Sequence, residues 1–202
     1  MDLNDNIIPT TLFTYYTFSC FNCNFDDIIH ALDSEYATND KWKMQQKPFA
    51  FDLYEGEPRP GGAHFPKAYF YVPKVSSCCV MFSNYADGLA TMTYWMSRKV
   101  QCQCYNFRIT NADTHCSINY LEYISCGKLL RIVYAMQDPQ WVFYNKGDTL
   151  WFEDEALYAN RQVKHRLNST ILTKYCLKLD FDITNPNFWK SKKSVLLERI
   201  KW

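Results

Sequence analysis

The feature that most constrains the fold is a succession of short alternating segments joined by tight turns in the middle of the chain. Side chains in these segments alternate between two sides, as expected of strands whose successive residues point to opposite faces. Cys126-Gly127-Lys128 marks one turn, Asp138-Pro139 breaks the next strand, and Asn145-Lys146-Gly147-Asp148 is the turn that follows the last one. Strands joined by such short turns pair antiparallel, so this region predicts an antiparallel meander. The four predicted strands are residues 101–110, 116–124, 129–136 and 141–144.

Helix signals lie on both sides of this meander. Asn24 followed by Asp26 and Asp27 predicts the start of a short helix, because a capping side chain and early carboxylates stabilise a first helical turn. Asn168 predicts another helix start, with apolar residues recurring at helical spacing behind it. The predicted helices are 24–34, 84–99, 153–166 and 168–179, the other predicted strands are 9–18, 49–54, 68–72, 78–82 and 194–200, and residues 36–47 are predicted as a loop.

These elements predict an α+β fold in which helices pack on one face of a mostly antiparallel sheet, giving two layers. With 202 residues and a mass of 24.0 kDa, the chain is long enough for a single domain over residues 1–202. The clearest irregular stretch is 55–66, which holds three prolines and three of the six glycines and is typical of a long loop. The alternative is an N-terminal subdomain over residues 1–55, joined to the rest through this loop.

The charge balance disfavours functions that depend on a strong overall electrostatic field. Lys and Arg total 22 against 21 Asp and Glu, giving a net charge of +1. A nearly neutral chain attracts neither nucleic acid nor an anionic membrane at long range. Met1–Asn6 is acidic and polar where a secretory signal needs positive charge, and no apolar run is long enough for a membrane helix. We therefore expect a cytoplasmic protein that does not bind membranes or nucleic acid.

Nine cysteines are many for a cytoplasmic chain, and their odd number prevents complete pairing within it. Cys20 and Cys23 have the spacing of half a zinc site or of a redox pair. The sequence has no second pair with this spacing. Because free cysteine behaves as a small buried hydrophobic residue, we expect reduced, structural cysteines and no metal site. A zinc half-site or a redox pair at Cys20 and Cys23 is the alternative.

The four histidines form no recognisable catalytic or metal-binding arrangement. His64 has the most suggestive position, because it follows Arg59 in the irregular loop and loops often carry function. Phosphate-binding glycine patterns are absent, and the carboxylates at Asp26–Asp27 and Glu153–Glu155 are explained as helix starts. We therefore predict no catalytic residue and no cofactor. The alternative is an enzyme with a dispersed site that uses His64, Arg59 or a cysteine.

Aromatic residues are the unusual part of the composition, at 17% of the chain. They fit half-buried strands, and they are also enriched at recognition surfaces. Trp141 and Trp151 flank the turn at Gly147, in a cluster that either packs in the core or forms a surface for a partner. The basic run Arg161–Arg166 is explained as the positive end of a helix, with nucleic-acid contact as the alternative. The candidate partner-binding residues are Arg59, His64, Trp141 and Trp151.

Several segments of the sequence resemble a group of small bacterial proteins. The longest begins at Tyr134 and reads YAMQDPQWVFYNKGDTLWFEDEALYANRQVKHRLNSTILTKYCLKLDFDI. The others are His64–Pro66, Phe82–Gly88, Phe188-Trp189 and Leu197–Trp202. Over residues 62–202, the chain is similar to immunity proteins of polymorphic or contact-dependent toxin systems.

The resemblance implies a cytoplasmic protein that binds one toxin domain tightly and blocks its active site or its activation. Such an interface would bury aromatic and arginine anchors inside a polar rim. We therefore predict a non-enzymatic immunity protein whose partner is a toxin domain. By the same resemblance, immunity proteins against nucleases are often acidic, so the near-neutral charge of this chain disfavours a nuclease as the toxin.

Overall fold

The computed structural model describes residues 8–49, 64–111 and 117–202. The strands in these segments are β1 (Tyr15–Asn22), β2 (Trp42–Gln45), β3 (Lys67–Pro73), β4 (Cys79–Ser83), β5 (Gln103–Thr110), β6 (Ile118–Ser125), β7 (Lys128–Gln137), β8 (Trp141–Lys146) and β9 (Ser191–Arg199). The α-helices are α1 (Pro9–Leu12), α2 (Phe25–Tyr36), α3 (Ala90–Val100), α4 (Glu155–Tyr158) and α5 (Ser169–Lys178), and 3-10 turns span Val163–His165 and Pro186–Trp189. None of these helices combines the length and apolar character needed to cross a membrane.

The strands form one antiparallel sheet in the order β2-β9-β3-β4-β1-β5-β6-β7-β8. The predicted meander is the half from β5 to β8, where each strand pairs with the next one in the chain. β1 enters between β4 and β5 and joins the two halves of the sheet. The predicted α+β class with a mostly antiparallel sheet is confirmed.

Both faces of the sheet carry a buried core. On the first face, β1 contributes Tyr16, Phe18 and Cys20 to a cluster that α5 and the 3-10 turn at Pro186–Trp189 cover. On the second face, Phe21 joins a cluster covered by α2 and α3. The helices thus pack on both faces in three layers, where the sequence predicted one covered face and two layers. The second covered face was not predicted because β1 is buried on both sides. A strand of this kind lacks the polar alternation that identifies a solvated face.

The sequence located the starts of two helices, and a side-chain cap is formed at one of them, α5. The Asn168 side chain accepts a hydrogen bond from the Ile171 N–H at 3.0 Å, and α5 begins after it. α2 begins directly after Asn24, as predicted. α3 differs, because it begins at Ala90 and not after Asn84. The Asn84 side chain instead binds the backbone at and just before the start of β3.

Other local elements differ from their predictions. Residues 9–12 form α1 and not the beginning of a strand, since Pro9 occupies the first helical turn, where its missing N–H costs little. β2 lies in the segment predicted as a loop, because it is short and is held by β9 alone. The predicted helix 153–166 is divided into α4 and a 3-10 turn. The predicted strand 49–54 lies outside the described residues except for Phe49, which packs in the first core.

Candidate binding surface

The β7–β8 hairpin presents apolar side chains on the second face of the sheet, away from the core cluster on that face. Cross-strand pairing places Tyr134 beside Tyr144, and their rings stack with centroids 5.2 Å apart. The next pair on the same face is Met136 and Val142. Leu130, Val142 and Tyr144 remain 50%, 44% and 39% exposed. We call this surface the hairpin face, and its residues are Leu130, Ile132, Tyr134, Met136, Val142 and Tyr144.

The position of α3 explains why the hairpin face is open. α3 packs against β5 and β6 and covers the second face up to the start of the hairpin. β8 is the last strand of the sheet within the described part of the chain, so its outer edge has no strand partner there. An unpaired edge beside a clustered apolar surface is a ready site for another protein chain.

A polar network joins α3 to the strands beneath it, from β1 to β6, the neighbour of the hairpin. The Ser19 hydroxyl donates to Asn106 Oδ1 at 3.2 Å, and the Asn106 amide donates to Glu122 Oε2 at 2.9 Å. The Tyr94 hydroxyl of α3 donates to the other Glu122 oxygen at 3.5 Å. Burial raises the pKa of Glu122, and the hydrogen bonds that it accepts offset part of that rise. Burial and the Glu122 charge raise the pKa of Tyr94 to about 12. The network therefore holds α3 on the sheet and forms the boundary of the hairpin face.

A buried ion pair holds the hairpin from the first face. The Arg131 and Glu153 side chains are 1% and 0% exposed, and Nη2 lies 2.7 Å from Oε2. Arg131 also donates to the Lys146 and Gly147 carbonyls at 3.1 and 3.2 Å. Burial lowers the pKa of Arg131, but the hydrogen bond and charge of Glu153 raise it by more. The guanidinium thus stays charged and ties the end of β8 to β7, which fixes the shape of the hairpin.

The turn after β8 depends on a glycine. Gly147 has a φ of +89°, in the left-handed region that residues with a side chain rarely adopt. A Cβ atom at this position would lie 2.0 Å from the Leu130 carbonyl oxygen. This close approach brings the turn against β7, where the Arg131 guanidinium reaches its carbonyls.

The two tryptophans predicted to bind a partner lie apart. Trp151 is 74% exposed in the turn after β8, and its ring meets Phe152 edge-on with centroids 5.6 Å apart. Trp141 begins β8 and is half-buried against the first core. Because a strand rises about 3.3 Å per residue, Trp141 lies roughly 20 Å from the Gly147 turn. Trp151 is therefore open to a partner, whereas Trp141 contributes mainly to packing.

His64 is a structural anchor near the end of β4. Its ring stacks on Tyr85 with centroids 4.3 Å apart, and its Nε2 lies 3.2 Å from the Asn84 carbonyl oxygen. The Tyr85 hydroxyl donates to the His64 carbonyl at 2.9 Å. Five strand positions separate β4 from β8, and at about 4.8 Å each this puts His64 roughly 24 Å from the hairpin edge. Arg59, the other predicted residue of this loop, lies outside the described residues.

The basic run predicted as an alternative nucleic-acid contact is divided between packing and solvent. The Arg166 guanidinium lies over the Phe143 ring at 5.3 Å, and its Nε donates to the Asn160 carbonyl at 2.7 Å. Arg161 and Lys164 are exposed, but the helix expected to align them is absent from this part of the structure. The geometry therefore favours a role for Arg166 in covering β8.

The Cys20 and Cys23 spacing does not create a joint site. Their separation by three residues at the end of β1 sends the side chains to opposite faces, Cys20 into the first core and Cys23 against the second. Burial raises the pKa of Cys20 well above its ordinary value. The alternative of a zinc half-site or redox pair at these two residues is thereby overturned. Among the described residues, no group of three or more His, Cys, Asp or Glu side chains is arranged to hold a metal ion.

The hairpin face was missed by the sequence analysis, and no family model, curated protein or solved structure matches the chain to point to it. Both sides of β7 are apolar, a pattern typical of a strand with two buried faces. In the structure only the side holding Val133 and Ala135 is fully buried. One feature of the sequence could have indicated the hairpin face. β8 is the last strand of the predicted meander, and helices cover less of a hairpin at the edge of a sheet.

Proposed function

We propose that this chain is a non-enzymatic binding protein of the immunity type, which neutralises a toxin domain by docking it on the hairpin face. The exposure of Leu130, Val142 and Tyr144 along one side of the β7–β8 hairpin carries the proposal. Single exposed apolar residues are common on any protein, whereas several on one side of an edge hairpin mark an interaction surface. The proposed compartment is the cytoplasm, where the toxin domain would act.

The composition of the hairpin face supports a protein partner. Tyrosine and methionine are enriched in the cores of protein interfaces, where a large side chain is buried at little cost in hydrogen bonding. Lys146 pairs with Ile132 across the strands and is exposed at the margin of this surface. The partner should therefore offer an apolar centre with an acidic group opposite Lys146.

Three of the thiols are unsuited to the alternative of a cysteine-dependent enzyme. A cysteine nucleophile needs a thiolate in an accessible, electropositive place. Burial instead raises the pKa values of Cys79, Cys104 and Cys176 well above the ordinary value, and all three are completely buried. These three cysteines are packing residues of the two cores.

The test is affinity capture from the native host followed by mass spectrometry, then coexpression of each captured domain with this chain. We expect one stoichiometric partner whose domain stops cell growth when expressed alone and is harmless with this chain. Leu130→Glu and Val142→Glu should each weaken binding by at least about 30-fold, which corresponds to about 2 kcal/mol at an interface anchor. Leu177→Glu is the matched control, because Leu177 is 45% exposed on α5, away from the hairpin.

Two results would contradict the proposal. A toxic partner whose binding is unchanged by the hairpin variants but lost in Leu177→Glu would place the interface on α5. Capture that yields no growth-inhibiting domain would remove the immunity function.

A further inference from the structure

Cys23 and Cys102 face each other where β1 ends and β5 begins. The last cross-strand pair of these strands is Asn22 and Gln103, so the next position places Cys23 opposite Cys102. Each thiol shifts the pKa of the other one, and both pack in the second core. Directly opposed residues of an antiparallel pair have Cα atoms roughly 4.5–5.5 Å apart, which is within the range that a disulfide spans.

We propose that Cys23 and Cys102 form a redox-active thiol pair, which closes to a disulfide when the protein meets hydrogen peroxide. The pair lies at the margin of the second core, where Cys23 is partly exposed and Cys102 is 7% exposed. A small oxidant can therefore reach it without unfolding of the sheet. The hairpin face takes no part in this chemistry.

The interaction between the thiols sets the order of reaction. The neighbouring Cys23 thiol lowers the pKa of Cys102, and Cys102 raises the pKa of Cys23. The Cys102 backbone is fixed, because its N–H donates to the Ser97 carbonyl at 3.0 Å and its carbonyl accepts from the Ser97 hydroxyl at 2.7 Å. The thiolate is the nucleophilic form of cysteine, so Cys102 reacts first and Cys23 resolves the product.

The chemistry balances as a two-electron oxidation. The Cys102 thiolate attacks one oxygen of hydrogen peroxide, the O–O bond breaks, and hydroxide leaves and combines with the proton that Cys102 had released. The Cys23 sulfur then attacks the Cys102 sulfenic acid, the S–O bond breaks, and the hydroxyl leaves as water with the Cys23 proton. Two thiols are oxidised to one disulfide, and one peroxide is reduced to two waters.

A second pair of interacting thiols, Cys20 and Cys78, provides an internal comparison. Cys20 pairs with Val80 across the strands, so Cys78 is offset from it by two residues. Diagonal neighbours in a sheet lie roughly 7–8 Å apart, beyond the span of an unstrained disulfide. Cys20 is also completely buried. We therefore expect this pair to stay reduced under conditions that oxidise Cys23 and Cys102.

The test is brief peroxide treatment of the folded full chain, followed by alkylation of remaining thiols and tryptic peptide mapping. We expect the peptide 1–41, which contains Cys23, to become linked to the peptide Val100–Arg108, which contains Cys102. The link should be lost in Cys23→Ser and in Cys102→Ser and retained in Cys78→Ser, with far-UV circular dichroism showing that each variant is folded. The urea midpoint should rise on oxidation in the wild type and in Cys78→Ser only, because the disulfide joins the start of α2 to the end of α3.

Free Cys23 and Cys102 thiols in folded, peroxide-treated protein would overturn the proposal. A link from peptide 1–41 to the peptide that holds Cys78 would also overturn it, since that link would identify Cys20 and Cys78 as the reactive pair. If one serine variant does not fold, the other one still decides whether the link requires this pair.

Discussion

Arg131 and Glu153 are the single residues whose burial most needs an explanation. Moving an ion out of water costs several kcal/mol, and only a well-placed partner together with further hydrogen bonds offsets this cost. Both side chains are almost completely buried, and Arg131 reaches both Glu153 oxygens, at 2.9 and 2.7 Å. Further hydrogen bonds from Arg131 to the Lys146 and Gly147 carbonyls, and from the Tyr158 hydroxyl to Glu153, support the pair, but each charge still depends on the other one.

The first prediction is that Arg131→Met lowers the free energy of unfolding by about 3–5 kcal/mol, because it leaves the Glu153 carboxylate buried without its partner. Urea unfolding measures this loss. The double variant Arg131→Met/Glu153→Leu should recover a large part of it, since no unpaired charge remains. Asp40→Asn, which removes the highly exposed ion pair with Lys201, is the control and should leave the midpoint nearly unchanged. A single-variant loss no larger than that of Asp40→Asn would contradict the prediction.

The second prediction concerns the pH dependence that Glu122 imposes on stability. Because burial raises its pKa above the ordinary value of 4.5, the folded state holds the proton more tightly than the unfolded state. The stability that this group contributes is complete below pH 4.5 and is lost as the pH rises through the raised pKa. Glu122→Gln cannot ionise and keeps an acceptor for the Asn106 amide. Urea unfolding from about pH 4 to pH 7 should therefore show the variant gaining stability relative to the wild type as the pH rises. A difference that does not change with pH would contradict this assignment.

At the scale of elements, the shape of the β7–β8 hairpin depends on the turn at Gly147. The third prediction is that Gly147→Ala destabilises the protein by roughly 1–3 kcal/mol, because alanine strains the left-handed backbone and its Cβ meets the Leu130 carbonyl. Hydrogen exchange should accelerate in β8 more than in β1. Asp148→Ala, at the exposed next residue of the same turn, is the control. Equal exchange in both variants would show that the turn geometry is not what holds β8.

The elements also show which parts of the fold are encoded locally. The meander and α5 were predicted because turn residues and the Asn168 cap act within a few positions of the chain. The break of the predicted helix 153–166 was missed, and there Arg166 lies over Phe143 of β8, a contact that helical spacing does not indicate. The placement of helices on both faces was also missed, because the sequence of an apolar strand does not indicate which of its faces a helix later in the chain will cover.

The candidate site was less predictable than the fold. Trp151 was selected as an aromatic beside a turn, and it is exposed. Leu130 and Val142 were read as ordinary strand residues, because their exposure depends on where α3 ends over the sheet. The Arg131–Glu153 pair joins residues 22 positions apart, a separation at which sequence spacing carries no signal.

At the scale of the whole molecule, one sheet supplies both cores. β1 and β5 are central, and each directs alternate side chains to the first and second faces: Phe18 and Phe107 to one, Phe21 and Cys104 to the other. Loss of packing in either core therefore destabilises β1 and β5, and these strands also form part of the other core. This arrangement agrees with a single domain, which stays a prediction.

The fourth prediction tests that coupling with two matched leucines. Leu32 lies on α2 over the second face and Leu172 on α5 over the first, and both are completely buried. Truncation of each to alanine should cost about 2–5 kcal/mol, the range for a buried leucine whose cavity relaxes only in part. If the cores are coupled, either variant shifts a single two-state transition in which α2 and α5 lose hydrogen-exchange protection at the same urea concentration. An independent N-terminal subdomain would behave differently: Leu32→Ala would release α2 at low urea while α5 stayed protected at its wild-type midpoint. Because β1 reaches the centre of the sheet and carries residues of both cores, we expect the coincident transition.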